Sequence, residues 1–125
     1  MKFRSLLVGV SALVFIAGCS SQVYTPDSLK KMAVSANASD RETAMYEMAN
    51  NYRPEYYQFI LQAMIDSDIS TRRAALRSVI KTKDRKFLDA LRAVVKYPDK
   101  TDSDLAAAAI KALEALPQEP TSPAK

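Results

Sequence analysis

From Pro26 onward apolar side chains return every three or four residues, the spacing that lines one face of a helix. Polar or proline-bounded breaks divide the pattern into six stretches. Their limits predict helices over 26–35, 40–51, 54–66, 70–81, 85–97 and 103–116. Start signals agree: Thr25 before Pro26 places a cap ahead of proline at the first helical position. Ser39 and Glu42 have capping-box spacing, and Pro54 with Glu55 opens a further helix. Asp68 or Ser70, Thr82 or Asp84, and Thr101 or Asp102 supply the other expected caps. Pro98 and Pro117 end the helices before them. Alternation at the strand period is absent, so the fold class is all-α.

The helices pair, and the pairs resemble one another. In the second helix of each pair Ala44, Ala75 and Ala109 take one position, followed by Met45, Leu76 and Ile110 and then by Met48, Val79 and Leu113. In the first helices Tyr57, Leu61, Ala63 and Met64 return as Phe87, Leu91, Ala93 and Val94, with Leu29, Met32 and Ala33 as a shorter echo. The third pair is expected to have a longer internal turn, "KYPDKTDSD". Small and large apolar residues in this order suit helices packed on two sides.

Composition narrows the chemistry. The 125 residues include two glycines, Gly9 and Gly18, both ahead of the single Cys19. The rest of the chain therefore lacks the residue that phosphate-cradling loops and nucleophile elbows need. There is no histidine, so general-base and zinc-ligand roles lose their usual side chain. Carboxylates such as Glu42, Glu47, Glu55, Asp66 and Asp68, or a Ser78–Lys81 or Ser78–Lys83 pair, are unexceptional at helix starts and on solvated faces. No enzymatic activity, cofactor or metal is expected. The formal net charge of +4 includes Lys2 and Arg4, leaving a nearly balanced body and no case for nucleic acid.

The first residues have the layout of a secretory leader. "MKFRS" carries the positive charges, Leu6 to Ala17 is uncharged and apolar, and small residues follow. A helix of that apolar length spans roughly 18 Å, short of the ~30 Å hydrocarbon core, which favours cleavage over spanning. Ile16-Ala17-Gly18-Cys19 resembles the lipobox of bacterial lipoproteins, although that family usually has leucine where Ile16 stands. The resemblance implies diacylglycerol on the Cys19 sulfur, cleavage between Gly18 and Cys19, and no catalytic part for the thiol. Ser20, in place of a retaining aspartate, implies the periplasmic face of the outer membrane if the source is Gram-negative. The expected organisation is a signal peptide over 1–18, a lipidated tether over 19–25, a helical domain over 26–116 and a disordered proline-rich tail over 117–125.

The middle pair, "FILQAMIDSDISTRRAALRSV", resembles a short bacterial HEAT-type repeat: an apolar helix, an aspartate-rich turn, then arginine and paired alanines. That likeness implies a short right-handed solenoid of about three hairpins, a TPR-like array or irregular bundle being the alternatives. It implies that Asp66 or Asp68 and Arg72 tie adjacent turns together. The first pair keeps Arg41, whereas the third is expected to have Ala106 at the arginine position.

Charge is uneven. Residues 72 to 100 hold Arg72, Arg73, Arg77, Lys81, Lys83, Arg85, Lys86, Arg92, Lys96 and Lys100 against Asp84, Asp89 and Asp99. A solvated face is the plain reading of such a run. Arg73, Arg77 and Lys81, four apart, would instead form one stripe on the fourth helix. With Tyr46 and Lys111 they make a candidate groove for an acidic peptide or anionic envelope polymer. Tyr52, Tyr56 and Tyr57 are expected to pack between pairs with their hydroxyls in water, or to offer a contact surface. The function expected from these features is a membrane-anchored periplasmic adaptor or assembly factor. An envelope hydrolase and an immunity-type inhibitor lipoprotein are the alternatives.

Overall fold

The computed structural model describes residues 23–118. The leader, Cys19, the tether up to Gln22 and residues 119–125 of the tail lie outside them, with the expectations attached to each. Six α-helices and three short 3-10 turns make up the described chain, and no strand occurs among the described residues. The fold is all-α.

Helix α1 spans Pro26–Ala33 behind Thr25, whose hydroxyl accepts from the Ser28 amide at 3.1 Å. Helix α2 spans Ala38–Asn50 and is capped by Asn37, not Ser39. The extended backbone of Asn37 lets its side-chain oxygen reach the Ser39 amide at 2.9 Å, so Ser39 already lies inside the helix. A 3-10 turn at Pro54–Tyr56 leads into α3, Tyr57–Ala63. Helix α4 spans Ile69–Ser78 with Asp68 as cap, accepting from the Thr71 amide at 2.9 Å. It continues as a 3-10 turn over Val79–Thr82. A further 3-10 turn, Arg85–Phe87, capped by Asp84, enters α5, Leu88–Val95. Helix α6, Lys100–Glu114, takes its cap from Asp99, which accepts from the Asp102 amide at 3.0 Å. Neither Thr101 nor Asp102 is the cap, because both already have a place in the first turn.

The caps Asn37, Asp68 and Asp99 stand at equal intervals of 31 residues. The connections before them, 34–37, 64–68 and 96–99, have nearly equal lengths. The third turn is therefore not enlarged; α6 is simply the longest helix. In the register set by the caps, Ala44 and Ala75 correspond to Ala106 rather than Ala109, and Ser103, not Ala106, stands at the arginine position. All four alanines are fully buried. Three residues is close to one helical turn, which is why the apolar pattern alone admits either register.

Each odd-numbered helix packs on the one after it, and α2, α4 and α6 pack on one another in turn. One apolar core runs through all of them, from Leu29 through Met45, Met48, Ile60 and Leu76 to Phe87, Leu91 and Leu113. Where α4 lies against α2, the Thr71 and Ser78 hydroxyls donate to the Ala38 and Met45 carbonyls at 3.2 and 3.4 Å. No buried side-chain polar atom among the described residues lacks a partner.

Candidate functional site

Two surfaces contain the residues singled out by the sequence. The first is the edge formed by the turns inside each helix pair. Arg41, in the first turn of α2, donates to the Ser35 carbonyl at 2.8 Å and to both carboxylate oxygens of Asp66, at 2.9 and 3.1 Å. Arg72, at the same place in α4, donates to the Asp66 carbonyl at 2.9 Å and to the Asp102 carboxylate, with Asp99 at 3.9 Å. Each guanidinium thus binds the carbonyl six residues before it and an aspartate of the following pair. The Arg41–Asp66 pair is bidentate, a geometry that suits the planar guanidinium. Asp68 takes no part in the ion pair, because its side chain caps α4.

The electrostatics follow the geometry. The hydrogen bond to Asp66 raises the Arg41 pKa above its ordinary value, outweighing burial. Burial works against ionisation of Asp66, but the Arg41 bond, the Asp68 amide and Arg72 together hold its carboxyl below the usual range. Asp99 is lowered chiefly by the Asp102 amide that it caps, and then by Arg73 and Arg72.

The second surface is the outer face of α2, α4 and α6. Arg73 belongs only partly to it, since its guanidinium binds Asp102 at 3.2 Å and Asp99 at 3.4 Å. Arg77 is exposed and makes no ion pair among the described residues. Lys81 donates to the Asn50 side chain at 3.0 Å, but it lies in the 3-10 turn beyond α4, so a regular four-residue stripe ends at Arg77. Tyr46 is half-buried against the core. Lys111 is exposed on α6, where the cap register matches it to Ile80 and matches Arg77 to Ala108. The face therefore has Glu42, Tyr46 and Asn50 on α2, then Arg73 and Arg77 on α4 with Lys81 in the turn that continues it. Asp104, Ala108 and Ala112 follow on α6. Its cations are concentrated on the middle helix.

Sequence reasoning missed Asp99 and Asp102 as partners of Arg72 and Arg73. The equal spacing of Asn37, Asp68 and Asp99 is the signal that would have found the first. The tyrosines pack between pairs as expected, but the hydroxyls of Tyr52 and Tyr57 find protein partners in place of the expected water. Tyr56 is buried, and the Tyr52 hydroxyl donates to Asp84 at 2.7 Å while Tyr57 donates to the Lys86 carbonyl at 3.3 Å. Both rings pack on the buried Phe87, with centroids at 6.1 and 4.7 Å. Burial first, then the bond to Asp84, raises the Tyr52 pKa well above that of a free phenol.

Among the described residues no cluster of acidic or thiol side chains could hold a metal ion, and no helix is long and apolar enough to cross a membrane. No protein-family model matches the chain, and no curated protein matches it significantly.

Proposed function

We propose that the chain is a lipid-anchored periplasmic adaptor, built as a short right-handed solenoid of three HEAT-like hairpins and held at the outer membrane through Cys19. The observation that carries the solenoid reading is the recurrence of one bonding pattern. Arg41 and Arg72, 31 residues apart, each bind the turn before them and the aspartate of the next hairpin. Such nearest-neighbour ties are what a stack of like units requires. The lipobox-like Ile16-Ala17-Gly18-Cys19 supports the anchor.

The outer face of α2, α4 and α6 is the partner surface in this reading. Arg77 and Lys81 supply the charge, and Tyr46 supplies aromatic contact area for an acidic segment of an envelope protein or an anionic polymer. Exposed charges act over only about 8 Å at physiological salt, so the aromatic contact is needed beside them. A photo-reactive residue placed at Ala108, between those cations and Lys111, should give a discrete adduct in intact cells. The double variant Arg77→Glu with Lys81→Glu should lose that adduct. An adduct of unchanged yield in the double variant would refute the surface.

A further inference from the structure

The connections between hairpins form the edge opposite the arginine–aspartate pairs, and the described chain begins there. Val23 and Tyr24 line a cavity of about 430 Å³ with Asn51, Arg53 and Tyr56. Hydrogen bonds join the next connection to this one: Lys81 to Asn50, Asp84 to Tyr52, and the Lys86 carbonyl to Tyr57. Arg85 extends the edge by donating to the Leu116 carbonyl at 3.3 Å.

Within this edge the segment Lys81–Lys86 carries four cations, Lys81, Lys83, Arg85 and Lys86, beside one anion, Asp84. None of the four makes an ion pair among the described residues. The Asp84 carboxylate is occupied by the Tyr52 hydroxyl and the Lys86 amide. Other carboxylates near the edge are paired elsewhere, Glu55 with Lys30 and Arg53, while Asp89 and Glu114 share Arg92. Asp27 and Glu47 lie on the α1–α2 side. Lys83 has a left-handed backbone, φ 54°, and with Thr82, Asp84, Arg85, Leu116 and Pro117 it lines a cavity of about 540 Å³, in which Asp84 is the one anion against two cations.

We infer that this edge rests on the bilayer, with Lys83, Arg85 and Lys86 against anionic phospholipid and a headgroup phosphate seated between Lys83 and Arg85. The inference depends on the anchor proposed above. Val23 follows Cys19 by four residues, so extended chain cannot carry it more than about 14 Å from the acylated sulfur. That tether holds Val23, and with it this edge, near the headgroups. Val23 itself is 89% exposed, an apolar side chain at the point where the chain leaves the bilayer. A cation at an anionic surface strengthens association on the order of fivefold, and the seated phosphate would meet two.

Lysine acetylation footprinting on the full acylated protein, reconstituted into vesicles, tests this. Phosphatidylcholine vesicles are compared with equal mixtures of phosphatidylcholine and phosphatidylglycerol. Lys83 and Lys86 should react about fivefold more slowly on the anionic vesicles, while Lys96 and Lys100, on the opposite edge, keep their rates. The protection should vanish at 1 M salt, where the screening length is about 3 Å, and should fall in the variant Arg85→Glu, which keeps both reporter lysines. Sedimentation with neutral vesicles reports the anchor separately, and its failure would overturn the anchor reading and, with it, this inference. Protein that sediments with both vesicles yet shows equal lysine rates would overturn the inference. Protection seen in intact envelopes but not on anionic vesicles would assign the edge to an acidic protein and equally overturn it.

Discussion

Buried between α4 and α6, the Asp102 carboxylate holds two guanidiniums, Arg72 and Arg73, and is 1% exposed. Removing one partner of a buried ion network leaves charge behind without compensation. Asp102→Ala should therefore lower the unfolding free energy in urea by about 3 kcal/mol, whereas exposed Asp104→Ala should stay within about 0.5 kcal/mol. A second residue-scale expectation concerns pH. Asp66 and Asp99 titrate below their ordinary values in the folded chain. Their stabilisation is present above the unfolded-state value of about 3.9 and is lost as pH falls through the lower folded-state values. Urea midpoints measured against pH should hold level near neutrality and fall below about pH 4, less steeply in Arg41→Ala. At this scale the sequence is only partly legible. Arg41 and Arg72 stand out because they recur 31 residues apart, and Asp66 or Asp68 through the resemblance of the middle pair to a HEAT-type turn. Asp102 looks like a helix cap, since its partners lie 29 and 30 residues away on another helix.

At the scale of elements, all six helices are legible, because each has an apolar stripe and a polar or proline-bounded start. Their ends are less so. The pattern carries the fourth helix to Lys81, but the α-helix stops at Ser78 and tightens. The Thr82 hydroxyl donates to the Val79 carbonyl at 2.6 Å and accepts from the Asp84 amide at 3.2 Å. With no glycine available in this part of the chain, Lys83 adopts the left-handed conformation that reverses direction. These are choices of backbone geometry to which hydrophobic spacing is blind. The helix contacts themselves make a sharp prediction. Ala44, Ala75 and Ala106 are fully buried on α2, α4 and α6, and the small side chain lets neighbouring helices approach. Ala75→Leu should cost about 1–3 kcal/mol by overpacking, measured by urea unfolding. The exposed substitution Ala108→Leu should be close to neutral.

Over the whole molecule, the uneven charge visible in the sequence resolves into two populations. Arg72 and Arg73 are bound to Asp99 and Asp102 and belong to the architecture. Arg77 and the Lys81–Lys86 segment are without anionic partners among the described residues and remain for contacts outside the chain. Sequence alone could not separate them, because pairing depends on which turns become neighbours. In the proposed arrangement the anchor relates these surfaces, with one edge toward the bilayer and the outer helical face toward a partner. Intact mass spectrometry of the protein purified from the membrane fraction tests that claim most directly. The predicted species begins at Cys19 and carries the added mass of diacylglycerol on its sulfur. A mature chain with a free Cys19 thiol, or one that retains residues 1–18, would contradict it.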